Sequence, residues 1–142
     1  MGKYARANQV TVKALGNFVN LHDFPGLHTL KIKSVRDGTY KNGKLDLYGM
    51  KFEAIESDND DVSTGMELDH AFFDGLQGWQ TDRFFEDIKR FVGTIVGVDP
   101  NEIGEEEIED SVNGGVDGQT IRARVSPPRE GKDRGNVTFL GA

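Results

Sequence analysis

Apolar and polar residues alternate over residues 27–35, with Leu30 and Ile32 on one face and Thr29, Lys31 and Lys33 on the other, the two-residue period of a half-buried strand. Residues 45–55 repeat the pattern over a longer run: Tyr48, Met50, Phe52 and Ala54 share one face, opposite Leu47, Gly49, Lys51 and Glu53. Gly49 permits a bulge or a sharp coil in this second strand. Between the two, residues 36–43 hold Asp37-Gly38 and Asn42-Gly43, both turn dipeptides, and predict a connecting loop. A polar reversal over residues 57–61 leads to a third strand, in which Met66, Leu68, His70 and Phe72 alternate with Glu67, Asp69, Ala71 and Phe73. The second and third strands therefore form a hairpin.

Over residues 81–96 the period becomes helical, with Phe84, Phe85, Ile88, Phe91, Val92 and Ile95 spaced three and four apart and Thr81 as N-cap. Asp99-Pro100-Asn101-Glu102 reads as a second helix start, through a capping Asp, a Pro at the first position and a Glu completing the box. Gly104 limits its extent, and Asn113-Gly114-Gly115 ends the helical region. Alternation resumes over residues 120–125, with Ile121, Ala123 and Val125 inward and Arg122 and Arg124 outward. A loop over residues 126–135 precedes a short last strand, residues 137–140. Upstream, residues 1–26 read as an N-terminal arm with one short strand at 10–15, closed by the turn Asp23-Phe24-Pro25-Gly26.

Three strands, a helical connection and two closing strands is the order of a five-stranded β-barrel of the oligonucleotide-binding (OB) kind. The expected fold is a mainly β, α+β domain over residues 27–142 with a helical insertion at about 79–112. At 142 residues the chain suits a single domain. With no Cys it has no disulfide, thiolate metal site or cysteine nucleophile, which points to a reducing cytoplasm. No run of apolar residues reaches signal-peptide or membrane-span length. The net charge of -7 is unevenly spread: +6 over residues 1–51, -16 over 52–117 and +3 over 118–142. A fold that joins the two basic ends would set a positive surface beside a negative one.

The run from about residue 27 to 140 resembles the small single-stranded DNA-binding proteins of tailed phages. The resemblance rests on LKIKSV, LYGMKFEAIES, Gly65 opening the third strand, the aromatic helix after Trp79, and DGQTIRARV. It implies a non-catalytic protein of phage-type DNA replication or recombination, acting in the host cytoplasm, that binds through phosphate contacts and base stacking with little sequence preference. Some such proteins end in an acidic, aromatic-tipped tail. Here the chain ends Thr138-Phe139-Leu140-Gly141-Ala142, and its eight-carboxylate run lies at residues 99–117 instead. That run is either a solvated face or a surface for replication or recombination proteins.

Single-strand binders need a cationic groove and exposed aromatic faces. In an OB barrel one basic loop, with Arg36, Lys41 and Lys44, and another, with Arg129, Lys132 and Arg134, would flank the groove. Lys31 and Lys33 would lie near Arg122 and Arg124, and Lys51 on the polar face of the second strand. Tyr40, Tyr48, Phe73 and Trp79 are the stacking candidates, while the remaining aromatics have core spacing. No close His pair, nucleophile elbow, phosphate-cradling Gly loop or metal-ligand spacing suggests an enzyme or a cofactor. The alternative reading is an OB-type interaction module of a virion or replisome, using the acidic segment.

Overall fold

The computed structural model describes residues 19–131 and 135–141. The strand expected at residues 10–15 lies outside them, as do Lys132 and Arg134. The elements run β1 (Gly26–Tyr40), β2 (Leu45–Ser57), β3 (Glu67–Phe73), α1 (Gly78–Val96), a 3₁₀ turn (Pro100–Glu102), α2 (Glu105–Asp110), a π-type turn (Ser111–Gly115), β4 (Thr120–Val125) and β5 (Val137–Leu140). All five strands join one antiparallel sheet in the order β3-β2-β1-β4-β5. No helix among the described residues is long and apolar enough to cross a membrane.

The expected closed barrel is corrected: the sheet is open, because β3 and β5 are not hydrogen-bonded neighbours. Their rings meet instead. Phe139 of β5 lies 5.8 Å from His70 and 6.3 Å from Phe72 of β3, and 4.9 Å from Phe91 of α1, centroid to centroid. β3 and β5 thus meet through side chains packed on the core and not through a backbone ladder. On the free edge of β3 the Asp69 N–H donates to the Val19 carbonyl (2.6 Å), and Asn20 forms an isolated parallel bridge with Asp69.

Alternation sorts the two faces as expected. Leu30, Ile32, Val35, Tyr48, Met50, Phe52, Ala54, Leu68, Ile121, Ala123 and Val125 point into the core, where Phe84, Ile88, Phe91 and Val92 of α1 cover them. Leu21, just before β1, is buried in the same core. The helix starts earlier than expected. Gln77 and Gln80 form a reciprocal capping box, while the hydroxyl of Thr81 donates to Asp74 (2.7 Å). Asp99 does cap, accepting from the Asn101 N–H (2.8 Å), but only a 3₁₀ turn follows it, and α2 begins separately after Gly104.

The loop expected at residues 36–43 is mostly strand. Asp37 and Gly38 pair with Tyr48 and Leu47, and the chain reverses at Lys41, Asn42 and Gly43, all with positive φ (52, 60 and 81°). Asn and Gly tolerate that conformation, so the second turn dipeptide prevails over the first. The irregularities of the β1–β2 pair fall at Lys33 and Ile55, where the register shifts, and not at Gly49.

Candidate nucleic-acid interface

The face of the sheet turned away from α1 carries three rows of side chains across β1, β2 and β3: Ser34-Lys51-Asp69, Arg36-Gly49-Ala71 and Gly38-Leu47-Phe73. Because Gly49 and Ala71 are small, the middle row sinks, leaving a groove of about 350 Å³ with Arg36, Lys51 and Phe73 around it. Its floor has room to be raised: a Cβ on Gly49 would make only ordinary contacts, 3.7 Å from Leu47 and 3.8 Å from the Arg36 carbonyl. Phe73 is 50 % exposed and takes the ring of Tyr40 edge-on at 5.2 Å.

Lys51 is held over the groove by Asp69, Nζ to Oδ1 3.3 Å. Asp69 is itself buried and accepts from the Val19 N–H at 3.3 Å. Arg36 is exposed. The groove thus offers a guanidinium, an ammonium paired to Asp69 and an aromatic face around a floor of small residues, with Asp37 also on its lining, an arrangement that can receive a flat ring with a phosphate near Arg36.

The other expected residues are placed as follows. Lys31, opposite Thr120, is diagonal to Arg122 on the same outer face, and Arg122 and Arg124 stand opposite Thr29 and Leu27. Lys33 pairs with Glu53 (3.7 Å), and the Arg122 Nε donates to the Gly141 carbonyl (3.0 Å). Glu53, Glu56 and Glu67 share this face, so the basic stripe is of mixed sign away from the groove. Lys41 and Lys44 are exposed at the hairpin end, and Arg129 is exposed after β4, beside the opposite end of β1. Tyr40 is half-buried, its hydroxyl donating to the Asp74 carbonyl. Trp79 is 65 % exposed at the start of α1.

Tyr48 is corrected from stacking candidate to core residue. It is buried between Phe72 and Phe91, and its hydroxyl meets Ser111 at 2.7 Å. Burial of the hydroxyl pushes its pKa up to about 12. Strand parity puts Tyr48 with Met50 and Phe52, so the sequence held the signal. Asp69, which positions Lys51, and the floor formed by Gly49 and Ala71 were not foreseen as parts of a site. The same parity places Gly49 and Ala71 on one face, but their pairing across strands requires the register.

The acidic run at residues 99–117 lies on the other layer. Ile103, Ser111 and Val116 anchor it against the inner face of the sheet, and Glu105, Glu106 and Glu107 point to solvent. No known family model matches the chain, and no curated protein is significantly similar to it.

Proposed function

We propose that this protein binds single-stranded DNA without catalysis, through the outer groove of β1, β2 and β3, as part of phage-type replication or recombination. Its curled sheet is then read as an OB barrel whose last seam, between β3 and β5, is closed by rings and not by backbone bonds. The observation that carries the reading is the groove itself, where Arg36 and Lys51 stand beside Phe73 over a floor without side-chain bulk. OB folds commonly use this face and the adjoining loops for oligonucleotides. No carboxylate of the acidic run at residues 99–117 lines the groove, which favours a bound strand there. Glu105, Glu106 and Glu107 of that run stay accessible, which favours a second role for that segment in docking a protein partner.

The test is titration of a labelled oligo-dT at several salt concentrations. Four phosphate contacts should give a log-log slope of about -3, at roughly -0.7 per contact. Gly49→Val should raise the floor and abolish binding while the fold persists, since a Cβ there meets only ordinary contacts and β-branched residues suit strands. A folded wild-type protein that fails to bind at low salt removes the proposal.

A further inference from the structure

Resting on the groove reading, we propose that a bound strand passes over Phe73 into a second cleft, between the β1–β2 hairpin end and the start of α1, where Trp79 stacks on a base and Arg83 takes a phosphate. This cleft, of about 520 Å³, is lined by Tyr40, Lys41, Phe73, Leu76, Trp79 and Arg83 among others. Phe73 lines both hollows, so they adjoin at its ring.

The walls are fixed before any ligand arrives. Tyr40 ties the hairpin end to the Asp74 carbonyl, and the Asp74 carboxylate accepts from the Gly75 N–H and the Thr81 hydroxyl, both at 2.7 Å. That carboxylate is thereby turned into its own loop. The Trp79 indole N–H donates to Gln77 (2.6 Å), and Gln77 belongs to the helix cap. An indole held this way, yet largely in solvent, loses little further freedom when a base stacks on it. Leu76, 81 % exposed, extends the same apolar surface.

Two cations face the cleft. Arg83 uses its Nε on Asp87 (3.2 Å), which orients the guanidinium and leaves its terminal amino groups for another acceptor. Lys41, in the left-handed conformation (φ 52°), has its ammonium 5.9 Å from the centroid of the Tyr40 ring.

Trp79 is the only tryptophan of the chain, so its fluorescence reports on this cleft alone. The experiment titrates the full chain with fluorescein-labelled oligo-dT of about twelve nucleotides, within the range of site sizes of such folds, reading anisotropy and Trp79 emission together. Binding should quench Trp79. Trp79→Ala should weaken affinity about fivefold or more, the scale of one lost stacking contact. Arg83→Ala should flatten the salt slope by roughly 0.7, one phosphate contact. Anisotropy that reports binding, with unchanged Trp79 emission and both variants binding as wild type, overturns the second cleft and leaves the groove standing. A loss of affinity confined to Gly49→Val overturns the second cleft in the same way. Absence of all binding ends both readings.

Discussion

Tyr48 shows how one side chain can read as a surface ligand and serve as a core post. Ser111 has one hydroxyl proton and gives it to the Ile108 carbonyl (2.6 Å), so the Tyr48 hydroxyl is the donor in the bond between them. Tyr48→Phe should cost about 0.5 to 1.5 kcal/mol near neutral pH, the net worth of such a bond, measured by urea unfolding. A second signature appears at high pH. The unfolded side chain ionises near pH 10 and the folded one only near 12, so the unfolded state loses its proton first. Tyr48 thus contributes stability that is fully present below pH 10 and drains away as pH rises through 12. The loss amounts to about 2 to 3 kcal/mol. The Phe variant should lack that part of the alkaline decline, and equal declines in the two proteins would contradict the assignment. Gly26 is bound as tightly by geometry. Its φ is 132°, and a Cβ there would sit 2.2 Å from Asp58 Oδ1, the oxygen that accepts the Leu27 N–H. Gly26→Ala should therefore destabilise the start of β1 by more than about 1 kcal/mol in the same assay.

At the scale of elements, β4 alternates exposed and buried residues along its six positions, which lets stability and the proposed binding be tested separately. Ile121 is fully buried, and Ile121→Ala should cost about 2 to 5 kcal/mol through the cavity it leaves. Arg122 and Arg124 are exposed, and changing both to Ala should leave thermal unfolding within about 0.5 kcal/mol while weakening oligo-dT binding if the strand reaches β4. An arginine variant that unfolds would mean the two faces of β4 are reversed. This strand and β5 were legible in the sequence to the residue, and β3, whose alternation starts at Met66, to within one, because period-two alternation depends only on which face is dry. Boundaries set by competition were less so. Asp37-Gly38 has turn chemistry, but pairing with Tyr48 and Leu47 outweighs it. Thr81 is a good cap in isolation, yet the chain before it already holds Gln77 and Gln80 in a reciprocal box. The groove was half legible. Arg36, Lys51 and Phe73 were expected at a site, whereas the hollow between them depends on cross-strand register, which no single segment encodes.

Taken whole, the molecule keeps its longest acidic run, residues 99–117, apart from the groove of Arg36 and Lys51, although carboxylates and cations mix on the outer face of the sheet. The acidic run is anchored through the buried Ile103, Ser111 and Val116, and none of its carboxylates lines the groove of Arg36 and Lys51. Glu105→Gln, Glu106→Gln and Glu107→Gln together should leave oligo-dT affinity unchanged or slightly raised, and a large loss without unfolding would place these residues on the binding path. The seam between β3 and β5 bears on how the molecule opens. Residues 28–31 of β1 are bonded on both sides, by β2 and β4, whereas among the described residues the four of β5 ladder with β4 alone and lean on β3 through rings. Ring contacts yield without breaking a backbone ladder, so β5 can swing away while the rest of the sheet stays intact. In native-state hydrogen exchange, the β5 amides bonded to β4 should exchange by local opening well before those of β1, which should exchange only on global unfolding. β5 amides protected as strongly as those of β1 would show that the seam does not breathe. With β5 opening first, the molecule frays from one known edge, and proteolytic nicking in dilute denaturant should begin beside β5, leaving the β1–β2 hairpin as the last ordered piece.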